Sequence, residues 1–84
     1  MKLKDRVAIV TGSARGIGLA IAERFVAEDA RVVMCDVLDD AGQKEAARLG
    51  ARYRHCDVSK SADVTALVAG VVKDMGGVDV LVNN

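Results

Sequence analysis

The chain has 84 residues, with twelve Lys and Arg balancing twelve Asp and Glu, so the formal net charge is zero. That balance argues against a nucleic-acid or membrane-surface protein, either of which needs a basic excess. Hydrophobic residues make up 51% of the chain, enough for a core, but with no Trp, one Phe and one Tyr that core is built from Val, Ala, Leu and Ile.

Arg6 to Val10 reads as a first strand, apolar from Val7 onward. It breaks at Thr11 into Gly12-Ser13-Ala14-Arg15-Gly16-Ile17-Gly18, three glycines within seven positions. A helix then runs from Arg15 or Gly16 through Glu28, with Ile17, Ile21 and Phe25 expected inward and Glu23, Arg24 and Glu28 mostly outward. Strand, glycine turn and helix together present unpaired backbone N–H groups, and a helix dipole, to an anion. The glycines have separable tasks. Gly12 allows the sharp turn, Gly16 leaves room for a pyrophosphate, and Gly18 lets the helix pack closely on the strand. The spacing is G-x-x-x-G-x-G, not the common G-x-G-x-x-G, and no G-K-[S/T] follows, which disfavours a P-loop. A bare strand-to-helix turn would use the same glycines, so the rest of the chain has to decide.

Asp29-Ala30 ends the first helix, and Arg31 to Cys35 is a second strand. Its consecutive apolar residues suit a sheet covered on both faces. Asp36 follows at the strand tip, eighteen residues after Gly18, with Val37-Leu38-Asp39-Asp40 behind it. A carboxylate there can accept hydrogen bonds from adenosine ribose hydroxyls and repel a 2′-phosphate, which favours NAD over NADP; a solvated turn aspartate is the plainer alternative.

A second helix spans about Asp40 to Leu49 and stops at Gly50. Arg52 to Cys56 is a third strand, more polar and so nearer the sheet edge, followed by the loop Asp57-Val58-Ser59. A third helix runs from about Ser61 to Met75, with Val64, Leu67, Val68, Val71, Val72 and Met75 in one stripe. Gly76-Gly77 ends it, Val78 to Val82 is a fourth strand, and Asn83-Asn84 closes the sequence.

Four strands alternating with three helices imply an α/β fold: a Rossmann-type, doubly wound parallel sheet of order 3-2-1-4 with right-handed crossovers. The order reverses between strands 1 and 4. The resulting crevice holds the glycine turn, Asp57 and the asparagines at its mouth.

Cys35 and Cys56 lack a C-x-x-C or a histidine pair, which argues against a metal site. On neighbouring parallel strands their Cβ atoms point the same way, poor geometry for a bridge, so buried free thiols are expected. The only histidine, His55, has no serine-and-acid setting for a nucleophilic triad. The only tyrosine, Tyr53, reads as a strand residue. The longest apolar run is far short of a membrane span. The charged start, Met1 to Arg6, precedes no apolar segment suited to a signal peptide, so a cytoplasmic location is the default expectation.

Thr11-Gly12-x-x-x-Gly16-Ile17-Gly18 resembles the cofactor-binding motif of the short-chain dehydrogenase/reductase family, and the similarity continues in order through Asp36, Asp57-Val58 and Asn83-Asn84. The resemblance implies a nicotinamide dinucleotide held by Gly12, Ser13, Arg15, Gly16, Ile17, Gly18, Asp36, Val37, Asp57, Val58, Asn83 and Asn84. It implies that Asp57 meets the adenine amino group and Val58 packs on the ring. It makes Asn83-Asn84 the start of an Asn-Asn-Ala-Gly segment in which Asn84 contacts the cofactor. It also gives Arg15, just before the second glycine, a possible contact to a 2′-phosphate, the one feature that pulls toward NADP.

The family's chemistry moves a hydride between nicotinamide and an alcohol or carbonyl carbon, with a Tyr-x-x-x-Lys motif moving the proton. Four residues after Tyr53 stands Asp57, so no catalytic residue is placed in this chain. The expectation is therefore an N-terminal cofactor-binding portion, residues 1–84, covering the first third or so of a family member. The full enzyme is expected to act on a small alcohol or ketone and to be a homo-oligomer. A stand-alone nucleotide-binding module and an S-adenosylmethionine-binding methyltransferase-like domain are the alternatives. Strand four is expected to be an exposed edge, making the isolated chain prone to pair or aggregate.

Overall fold

The computed structural model describes residues 3–84; Met1 and Lys2, the first residues of the charged start, lie outside the described residues. The elements are β1 (Val7–Thr11), α1 (Gly16–Ala27), β2 (Arg31–Asp36), α2 (Asp39–Leu49), β3 (Arg52–His55), α3 (Ser61–Met75) and β4 (Val80–Val82). The strands form one sheet in the order β3-β2-β1-β4, and every pairing in it is parallel. This is the Rossmann-type order expected from the alternation of elements.

Both faces of the sheet are covered. Val10, Val32 and Met34 pack under α1 and α2 with Ala22 and Ala46. Val7, Ile9, Val33 and Cys35 pack on the other face with Leu67 and Val71 of α3. That is why the inner strands carry apolar residues at consecutive positions: all five residues of β1 are buried, and so are Val32 to Cys35 of β2. Fully burying each of the larger side chains contributes ~1.5–3 kcal/mol. The polar strand β3 lies at one edge, as its composition suggested, and β4 lies at the other.

Several details differ from the sequence reading. Ile17 is 73% exposed, although it was expected inward. The buried positions of α1 are Gly18 and Ala22, with Leu19, Ile21, Phe25 and Val26 packed around them. The close approach of Gly18 to the sheet sets the helix rotation, and residue 17 is consequently turned to the outside. On α3, Val72 is also exposed, at 46%, so the stripe narrows to Val64, Leu67, Val68, Val71 and Met75. β2 runs one residue further than expected and includes Asp36, while α2 begins one residue earlier at Asp39. β4 begins at Val80 because Asp79 is occupied with the start of β1: its carboxylate accepts the Val7 N–H at 2.8 Å, and its own N–H donates to the Val7 carbonyl at 2.9 Å.

The helix ends follow ordinary rules. α2 and α3 finish on Gly50 and Gly76, both left-handed, at φ 74° and 86°. Cys35 and Cys56 are buried and free within the α3-side core.

Candidate functional site

The site is built where β1, β2 and β4 end. Gly12 and Gly16 both have positive φ, 59° and 62°, which an ordinary side chain resists. A side chain at Gly18 would collide with the Gly12 carbonyl and with Asn84 Nδ2. Nothing lies near the position a side chain would take at Gly16, so that stretch of main chain is open on its outer side.

The amides of the turn fall into two groups. Ser13 N–H donates to the Cys35 carbonyl at 3.2 Å, and Ala14 N–H donates to Asp36 Oδ2 at 3.0 Å. Ser13 is fully buried, and its hydroxyl accepts the Cys35 N–H at 3.1 Å. Ser13 therefore fastens the turn to β2 with both of its polar groups. The N–H groups of Arg15, Gly16, Ile17 and Gly18 have no protein acceptor among the described residues. α1 also starts without a side-chain cap and without an acidic residue in its first turn. The open donors of the turn are thus fewer than the whole Gly12–Gly18 stretch. They are the four amides that begin the helix, where the helix dipole favours negative charge.

Asp36 faces this turn. Its Oδ2 takes the Ala14 N–H, and its Oδ1 takes the Val37 N–H at 2.7 Å and the Leu38 N–H at 3.3 Å. A carboxylate has about four acceptor directions, so three amides hold it in place and leave one on Oδ2. Val37 is exposed beside it. Arg15 is exposed and forms no ion pair among the described residues.

At the end of β3 the Asp57 carboxylate is half engaged. Oδ1 accepts both the N–H and the hydroxyl of Ser59, at 3.0 and 2.6 Å, and these bonds hold its pKa below the usual carboxylate value. Asp63 Oδ2 accepts the Asp57 N–H at 3.1 Å, which ties the loop to α3. Val58 next to it is 48% exposed. A hollow of about 70 Å³ beside Val58 is lined by Thr11, Val64, Leu67, Val68, Leu81 and Asn83. A wider hollow of about 320 Å³ lies elsewhere, under the β3 edge, against Arg52, Arg54 and Met75. Its lining includes none of the glycine-turn residues, so size alone does not mark the site.

The asparagines close the other side. Thr11 Oγ1 accepts the Asn84 N–H at 3.0 Å and lies 3.2 Å from the Val82 carbonyl it can donate to. Asn84 Nδ2 donates to the Gly12 carbonyl at 3.3 Å. Asn83 Oδ1 is 3.4 Å from the Thr11 hydroxyl. The pair therefore steadies the junction of β1, β4 and the glycine turn.

Two residues discounted at the sequence level enter the site's surroundings. Tyr53 Oη lies 2.7 Å from Asp39 Oδ1 and 2.8 Å from the Asp36 carbonyl oxygen. His55 Nδ1 lies 2.8 Å from the same Asp39 oxygen. Tyr53 first, then His55, holds the Asp39 carboxyl below its ordinary pKa. His55 thus does have an acidic neighbour, although no serine joins it. The period-two spacing of Tyr53 and His55 puts them on one side of β3, but their partner is visible only once the register Met34↔Tyr53 and Asp36↔His55 is known.

Comparison with known proteins identifies the family. A family model for short chain dehydrogenases matches residues 6–84. An uncharacterized oxidoreductase of Mycobacterium bovis is 49% identical over 86 aligned positions, covering 98% of this chain and 35% of that protein. Tropinone reductase-like 1 of Erythroxylum coca is 47% identical, over 99% of this chain and 31% of that protein. The crystal structure of a hydroxysteroid dehydrogenase from Escherichia coli superposes with a TM-score of 0.94 at 33% identity, over 99% of this chain and 36% of that one. The chain belongs to the short-chain dehydrogenase/reductase family. It spans about a third of the length of the curated relatives it matches. No helix among the described residues is long and apolar enough to cross a membrane.

Proposed function

We propose that this chain is the NAD(H)-binding part of an oxidoreductase that moves a hydride between nicotinamide and an alcohol or carbonyl carbon. Family membership supports the reaction class. The observation that supports the cofactor is the pairing of four open amides at Arg15–Gly18 with a fixed carboxylate at Asp36.

The residues fit a dinucleotide. The Arg15, Gly16, Ile17 and Gly18 N–H groups would receive the pyrophosphate, where partial positive charge from the helix favours it. Asp36, held by three amides, would accept an adenosine ribose hydroxyl on its remaining Oδ2 direction. A 2′-phosphate there would meet its negative charge, which favours NAD. Ser13 keeps the turn in shape. Gly12 supplies the bend, and Asn83 and Asn84 brace it. Val37 would flank the ribose, while Asp57, through its free Oδ2, and Val58 would take the adenine. The bound nicotinamide supplies hydride chemistry. The proton-moving groups belong outside residues 1–84, and so does the choice of substrate. The family resemblance gives Arg15 a contact to a 2′-phosphate, but Asp36 is fixed by three hydrogen bonds and the Arg15 side chain by none among the described residues.

Titration calorimetry with NADH, NADPH and S-adenosylmethionine on the protein expressed from its complete reading frame tests this reading. Tighter binding of NADH than of NADPH, with no binding of S-adenosylmethionine, is the expected result. Tighter NADPH binding would overturn the cofactor assignment, and no binding of either dinucleotide would overturn the site.

A further inference from the structure

The bridge between β2 and α2 is only two residues long, Val37 and Leu38, and it follows directly on Asp36, whose carboxylate the proposed function makes the cofactor selector. That bridge is held at both ends by one side chain of the neighbouring edge strand. Tyr53 Oη sits 2.8 Å from the Asp36 carbonyl oxygen at the start of the bridge and 2.7 Å from Asp39 Oδ1 at its end. Its single proton is shared between the two acceptors, the charged carboxylate being the stronger. His55, two residues on, adds a second hold on the same Asp39 oxygen at 2.8 Å. The Tyr53 ring is also fixed, because it lies against Gly42 of α2 so closely that a side chain there would collide with it. The Asp36 carbonyl takes a further N–H from Cys56 at 3.1 Å, continuing the β2–β3 ladder.

We infer that Tyr53 and Asp39 form a clamp that sets the position of the Asp36 carboxylate, and hence how strongly the protein discriminates NADH from NADPH. Neither residue touches the cofactor in this scheme; both are positioning residues. With the clamp closed, the Val37 and Leu38 amides converge on Asp36 Oδ1. With the clamp open, the start of α2 is free to move away from β3. The amides that hold Asp36 move with it, and the carboxylate no longer holds its place between the ribose and the space a 2′-phosphate would fill. Asp39 contributes through its geometry as an acceptor, so an amide oxygen in the same place preserves the clamp.

This inference rests on the NAD reading above, and the test separates the two. Dissociation constants for NADH and NADPH are measured on the complete protein and on its Tyr53→Phe, Asp39→Ala and Asp39→Asn variants, with thermal melts alongside. The wild type is expected to prefer NADH. Tyr53→Phe and Asp39→Ala are each expected to cut that preference about fivefold or more, mostly by weakening NADH, as loss of a charge-assisted hydrogen bond warrants. Asp39→Asn is expected to stay within about twofold of wild type, since the carbonyl oxygen still accepts from Tyr53. Asp39 is a half-exposed first residue of its helix, so its variants keep the test available even if Tyr53→Phe folds poorly. A purely structural role would lower the melting temperature and leave the NADH-to-NADPH ratio where it was. That result, in a wild type that prefers NADH, overturns the clamp alone. A wild type that prefers NADPH overturns the NAD reading and the clamp with it.

Discussion

Gly18 shows how much one missing side chain can carry. Its hydrogen lets α1 reach the Gly12 carbonyl and leaves Asn84 Nδ2 its place on that same carbonyl. Gly18→Ala forces backbone against backbone, an overpacking cost of ~1–3 kcal/mol. NADH affinity should fall by about tenfold or more with a lower melting point, and unchanged affinity by calorimetry would contradict the assigned packing. Titration gives a second prediction at this scale. Burial pushes Cys35 up to about 12 and raises Cys56. Burial and then Asp39 raise Tyr53. A group whose folded pKa is raised stabilises fully below its unfolded value and loses that contribution as pH climbs toward the folded one. Stability measured by denaturant titration should therefore decline from about pH 9 upward, the unfolded thiol range. The carboxylates act with the opposite sign. Asp39 and Asp57 have lowered pKa values, so their contribution is present above about pH 4 and fades in acid. The melting-point gap between wild type and Asp39→Ala should accordingly narrow as pH falls below about 4. A gap that is the same in strong acid as at neutral pH would contradict the hydrogen-bonded carboxylate.

Among the elements, β1, α1 and β2 carry most of what is recognisable, and their existence was legible because each has an unbroken hydrophobic period and a clear stop. Asp36 was legible for the same reason: it terminates an apolar run at a fixed distance from the glycine turn. The Tyr53–Asp39 contact was not, because it depends on which residue of β3 lies beside which residue of β2, and local pattern says nothing of register. Ile17 misled because helical spacing identifies a face only to within the rotation that packing then selects, and here Gly18 selects it. In residues 1–84 taken alone, β4 is the vulnerable element. It has three residues at the sheet edge, with Leu81 52% exposed. An 84-residue chain expressed alone should associate through that edge, sedimenting as a dimer or larger, and Leu81→Lys should shift it toward monomer. A monomeric wild-type fragment at tens of micromolar would contradict this.

For the whole molecule, the sheet order β3-β2-β1-β4 puts the strand ends that carry Thr11, Asp36 and Asn83 along one rim, and the family match spans residues 6–84. Charge across the chain sums to zero, and the proposed hold on a dinucleotide is assigned to oriented amides at the glycine turn. Everything proposed about the cofactor follows from that local arrangement of donors and one carboxylate. The most direct test is a crystal structure of the complete protein with NADH bound. The pyrophosphate oxygens should lie within hydrogen-bond distance of the Arg15–Gly18 amides, with an adenosine ribose hydroxyl on Asp36. A pyrophosphate bound away from those amides, or an Asp36 that makes no contact with the ribose, would contradict it.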